Sequence, residues 1–163
     1  MRKCGILLLC MCLLTGCNSV ETMETIRDEC IVSSMALPQK LVLQLPESAG
    51  KHVLSSDETN AIYFCNGYSL TVETMDGGNL RNSVREVCGF EPQDLTIMKT
   101  SRETYSRYDW VFSVAGEEEI QVGRAALLDD GNYHYCVTVL ADETAVIDLD
   151  GQWNEIFSSL SIS

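Results

Sequence analysis

Basic residues are scarce in this chain. Eleven Lys plus Arg stand against 24 Asp plus Glu in 163 residues, a formal net charge of −13. Binding nucleic acid or an anionic membrane by charge requires a basic footprint, so this balance argues against both. Histidine is scarcer still, with His52 and His134 alone. No G-x-S-x-G elbow, H-E-x-x-H, phosphate loop or dinucleotide fingerprint accompanies them, which argues against catalysis. Cysteine never occurs as a CxxC pair, and its wide spacings are not those of a zinc site. No cofactor and no metal are therefore expected. Repeats, low-complexity tracts and Gly/Ser-rich linkers are absent, and after residue 14 no apolar run approaches the roughly 20 residues that span a bilayer.

What is present begins at the N-terminus. Arg2 and Lys3 precede an apolar run, Ile6 to Leu14, which has the length of a cleaved secretory signal. The run ends in Leu14-Thr15-Gly16-Cys17, which resembles the lipobox of bacterial lipoproteins. The resemblance implies that the Cys17 thiol receives a diacylglyceryl group and that residues 1–16 are cut away. Two acyl chains anchor stably where one does not, each buried methylene adding about 0.8 kcal/mol. The expected partner is thus a membrane, reached through the lipid on Cys17, and the expected location is extracytoplasmic. Asn18 rather than Asp in the second mature position implies the outer membrane if the host has two. Removal of residues 1–16 takes Arg2 and Lys3 with it and leaves 147 residues, in which nine basic residues face 24 acidic ones, a net charge of −15. That length suits one domain.

The apparent richness in cysteine shrinks on the same grounds. Cys4, Cys10 and Cys12 leave with the signal and Cys17 carries lipid, so Cys30, Cys65, Cys88 and Cys136 remain. They form either two disulfides of open pairing, as an exported chain permits, or buried free thiols that act as small hydrophobes.

Residues 17–37 read as anchor and stalk, with Met23, Ile26 and Cys30 on a loose helical stripe; residues 38–163 read as the folded domain. Alternating Leu41, Leu43 and Leu45 before Pro46 predict a strand over 40–45, followed by a loop over 47–60. Asn66-Gly67 between 61–65 and 68–74 predicts a two-residue hairpin, in which Tyr68, Leu70 and Val72 face a core and Ser69, Thr71 and Glu73 face water. Asn79 and Gly89 are the caps of a helix reaching Cys88. A short strand is predicted over 95–99. Tyr108, Trp110, Phe112 and Val114 then open a three-stranded meander that turns at 116–119 and at Asp129-Asp130-Gly131-Asn132. Trp153, Ile156, Phe157 and Leu160 recur at helical spacing, behind Asp148 or Asp150 as cap. The fold class is α+β: a twisted antiparallel sheet of hairpins and a meander with helices packed on it.

This layout, with the run Tyr133-His134-Tyr135-Cys136-Val137-Thr138-Val139 and a last helix over Trp153 to Leu160, resembles PsbP-like lipoprotein domains across most of 38–163. The resemblance implies an accessory or binding role at a membrane or complex, with an envelope protein as partner. The competing readings are an envelope hydrolase using His134 or His52, and a purely structural lipoprotein. His134 and Cys136 share a strand face and could offer two ligands to a soft metal, with His52 or Asp129 to complete it; a half-exposed strand histidine is the simpler account. Glu117, Glu118 and Glu119 read as a solvated loop tip, and Asp148-Leu149-Asp150-Gly151 as a helix start, not a calcium loop. Trp110 and Trp153 read as packing.

Overall fold

The computed structural model describes residues 36–50, 53–54, 60–116 and 119–163. Cys17, Cys30, His52, Glu117 and Glu118 lie outside the described residues, and with them the lipobox and the stalk stripe.

Seven strands form one antiparallel sheet in the order β2-β3-β4-β8-β7-β6-β5: β2 (Val53–Leu54), β3 (Asn60–Cys65), β4 (Tyr68–Asp76), β5 (Met98–Ser101), β6 (Ser106–Ala115), β7 (Ile120–Asp129) and β8 (Tyr133–Asp142). The β3–β4 hairpin turns through Asn66-Gly67, with Cys65 opposite Tyr68 and Gly67 at φ 86°, a conformation that glycine adopts without a Cβ clash. Helix α1 (Leu80–Cys88) then carries the chain across one face to the far edge. The meander β5 to β8 returns and closes on β4, pairing Ser69 with Leu140 through to Asp76 with Tyr133. Helix α2 (Val146–Ser159) covers the other face. A separate two-stranded pair joins β1 (Leu41–Val42) to β9 (Ser161–Ile162).

Strand alternation sends two sets of side chains to two cores. Toward α2, Leu70, Leu128, Tyr135, Val137 and Val139 pack with Leu149, Trp153, Ile156 and Phe157, Tyr68 meeting the Trp153 ring edge-on at 6.2 Å. Toward α1, Tyr108, Trp110, Phe112, Ala125, Leu127 and Cys136 pack with Leu80, Val84 and Cys88. Each large apolar side chain so buried stabilises the fold by roughly 1.5–3 kcal/mol. Both tryptophans are core residues. Gly123 sits beneath Phe112; a Cβ there would lie 2.3 Å from the ring, so only glycine lets the ring lie across β7.

Several sequence expectations shift. The strand predicted over 40–45 shortens to Leu41–Val42, because its partner β9 has only two residues; beyond it Gln44 N–H donates instead to Ser159 Oγ. The loop predicted over 47–60 contains β2. The strand predicted over 95–99 begins at Met98, since Pro92–Asp94 form a 3-10 turn that turns Leu95 and Ile97 into the α1-side core. Neither Asp148 nor Asp150 caps the last helix. It starts at Val146, where Val146 and Leu149 gain burial against the sheet, so Asp148 lies in its first turn and Asp150 accepts from Asn154. Just before β1, Tyr133 Oη–H donates to the Ala36 carbonyl and Gln39 N–H to Tyr135 Oη.

Candidate functional site

The two helices cover unequal areas. At 1.5 Å per residue, the nine residues of α1 span about 14 Å, whereas the ten-residue strands beneath run to roughly 33 Å. Part of the α1 face of the sheet therefore lies beyond the end of the helix. The result is a cleft of about 430 Å³, lined by Ser69, Thr71 and Glu73 of β4, Thr138 and Leu140 of β8, Phe112 and Val114 of β6, and Glu86, Val87, Cys88 and Gly89 at the C-terminal end of α1.

Its chemistry is divided. Val87, Phe112, Val114 and Leu140 make an apolar wall, and the β4 hydroxyls with Glu73 and Glu86 make a polar one. Thr138 Oγ1 is buried and has no hydrogen-bond partner. Glu73 is half-buried, and that burial, reinforced by the charge of Glu86, raises its carboxyl above the usual carboxylate value of 4.5. Neither Glu73 nor Glu86 has an ion-pair partner among the described residues. Arg85, the cation nearest in sequence, reaches to Glu91 at 3.4 Å. Under the floor, Cys136 is fully buried and its thiol is pushed well above 9.0, first by burial and then by the nearby charges of Glu73, Cys88 and Glu86. The face that alternation marked as wet is thus the wall of a cleft.

His134 sits deeper in the same face. It is 1% exposed, so the half-exposed histidine expected from the sequence is corrected: β8 is a central strand, covered by α1. Its Nδ1 lies 2.7 Å from Ser83 Oγ of α1, and its Nε2 lies 3.7 Å from Asp129 Oδ1. Burial lowers its pKa from the usual 6.5, against the pull of Asp129 and Asp130, which favours the neutral ring. A serine, a histidine and an acid therefore stand in line, but with the serine on Nδ1 and the acid on the Nε2 side beyond hydrogen-bond distance, the reverse of a catalytic triad. Ser83 is itself 6% exposed and does not line the cleft. The Ser83–His134 hydrogen bond ties α1 to β8.

Other sequence candidates resolve differently. Cys136 shares a face with His134 as expected, yet among the described residues no group of three or more His, Cys, Asp or Glu is arranged to hold a metal. Cys65, Cys88 and Cys136 are free thiols, Cys88 donating to the Val84 carbonyl at 3.1 Å. Asp129 and Asp130 are occupied within their turn, Asp130 accepting from the backbone of Asn132 and Tyr133 and from Tyr135 Oη–H. Glu119 accepts from the Thr144 hydroxyl. Among the described residues no helix is long and apolar enough to cross a membrane. Sequence reasoning missed Glu86 and Thr138 as cleft residues and Ser83 as the partner of His134. Ser83 had a signal, being a polar residue on the apolar stripe between Leu80 and Val84.

No protein-family model matches this chain, and no curated protein matches it. Among solved structures it is similar to a crystal structure from Bacteroides thetaiotaomicron, with TM-score 0.51 and 10% identity over 76% of this chain; the chain spans 45% of that structure's length. It is also similar to the solution structure of the cyanobacterial PsbP (CyanoP) from Synechocystis, with TM-score 0.45 and 8% identity over 73% of this chain and 95% of that one. The first likeness concerns the fold alone, an α+β arrangement of antiparallel sheet and packed helices.

Proposed function

We propose that this chain is a lipid-anchored accessory module of the cell envelope that works by binding, with the cleft beside α1 as its binding site and Cys17 as its anchor. The observation that carries the reading is the cleft itself. It combines an apolar wall, unpaired carboxylates and a buried unpaired hydroxyl, the composition of a small-ligand site, and no nucleophile with its base opens into it. The sequence supports the anchor through the lipobox resemblance at Leu14 to Cys17. The test is capture of the tagged, lipidated chain from its own membranes, beside a Thr71→Trp variant that fills the cleft. A molecule retained by the first and lost by the second is the expected result. Identical recovery from both would remove the cleft from the account and leave a structural lipoprotein. For the anchor, Cys17→Ser should accumulate as uncleaved precursor without lipid label; normal cleavage and labelling would refute it.

One observation favours a second reading, an envelope hydrolase using His134: Ser83, His134 and Asp129 are the residue types of a hydrolase triad and lie together. A fluorophosphonate probe decides between them. Burial of Ser83 predicts no adduct, and a labelled Ser83 would establish a nucleophile.

A further inference from the structure

We propose that the cleft binds an organic cation, a primary ammonium group carried on an apolar stem, with the ammonium between Glu73 and Glu86 and the stem along Val87, Val114 and Leu140. The inference rests on the reading of the cleft as the binding site and adds the chemical class of its occupant.

Three features set the sign. Glu73 and Glu86 both line the cleft and have no ion-pair partner among the described residues, and no lysine, arginine or histidine contributes to the lining. The C-terminal turn of α1 supplies Val87, Cys88 and Gly89 to the same rim, and the end of a helix carries partial negative charge on carbonyls that have no partner within the helix. Only one of these carbonyls is used by the cap, where Gly89 N–H donates to Arg85 O. An anionic ligand would meet charge of its own sign from all of them.

Two features set the rest of the ligand. The opposite wall is apolar, so a bare metal ion or a fully polar cation would leave it wet, and among the described residues no set of three metal-ligating side chains occurs. Thr138 contributes to the floor between the walls, with its hydroxyl oxygen buried beneath the surface of the cleft. An ammonium has three donors, enough for both carboxylates. Glu73 also gains from this occupant, since a neighbouring cation relieves the raised pKa that burial and Glu86 impose.

The experiment titrates the full chain with n-pentylammonium, 1-pentanol and pentanoate, following amide shifts of Thr71, Val114 and Thr138. Saturable shifts at all three positions are expected with pentylammonium, with binding about tenfold weaker for pentanol and undetectable for pentanoate. Glu73→Gln should weaken pentylammonium by about tenfold and leave pentanol unchanged. If Glu73→Gln does not fold, Glu86→Gln, on the exposed side of α1, carries the same expectation. Equal binding of pentanol and pentylammonium, or unchanged affinity in the variants, overturns the cationic assignment while the cleft remains a binding site. Absence of shifts with every probe at millimolar concentration overturns it too, and capture that does not depend on Thr71→Trp would separately remove the cleft.

Discussion

Two side chains on the α1 face pull stability in opposite directions with pH. His134 has a folded pKa below 6.5, so between that value and 6.5 the unfolded chain holds a proton that the folded chain does not. Its contribution is complete above 6.5 and is lost as pH falls through the folded value, at most about 1.4 kcal/mol per pH unit. Glu73 has a folded pKa above 4.5, so its folded form holds the extra proton and stability falls as pH rises through that raised value. Urea midpoints should therefore decline on acidification below pH 6.5, and His134→Gln should flatten the decline; an unchanged slope in the variant would assign it elsewhere. At neutral pH Glu73→Gln should raise the midpoint, because it removes a half-buried charge that has no counter-ion. A lowered midpoint would mean that Glu73 is structural rather than held for a ligand. Ser83→Ala leaves His134 Nδ1 buried without its partner and should cost about 1–3 kcal/mol. A loss within a few tenths would show that the Ser83–His134 bond does not tie α1 to the sheet.

Among the elements, α1 decides the site because it is short. Asn79 Oδ1 accepts from Arg81 N–H at one end, and Gly89 ends the helix at φ 78° at the other. Asn79→Ala should cost about 0.5–2 kcal/mol by thermal unfolding, since no other side chain caps this terminus; a neutral outcome would show that packing alone fixes the start. Both caps were legible in the sequence, as were the Asn66-Gly67 hairpin and the meander, because each is written in neighbouring residues. The pairing of β4 with β8 was not, since period and turn chemistry say nothing about strands whose paired residues lie 57 to 71 positions apart. The site depended on that pairing: it sets Thr71 beside Thr138 and Glu73 beside Cys136. Glu73 and Thr71 could thus be placed on the polar face of β4 but not in a cleft. The start of α2 was misplaced because aspartates that suit a cap stand inside a helix whose first turn is set by the burial of Val146 and Leu149.

At the scale of the molecule, helices lie on both faces of the sheet, and the cleft with its carboxylates lies on the α1 face. On the α2 side the two arginines of the sheet are engaged: Arg107 forks onto Asp109 and donates to the Phe157 carbonyl, while Arg124 lies 4.4 Å over the Phe157 ring. Next to the cleft on the α1 side, Phe64 and Ile62 of β3 are 63% and 39% exposed. The sheet thus presents a continuous apolar and acidic surface away from α2. Binding at this face, as proposed, is checked by amide hydrogen exchange of the full chain in a membrane fraction of its host against the purified chain. Protection is predicted at residues 69–73, 86–89, 112–114 and 138–140 in the membranes, with α2 unchanged. Equal exchange in the cleft under both conditions would contradict the claim.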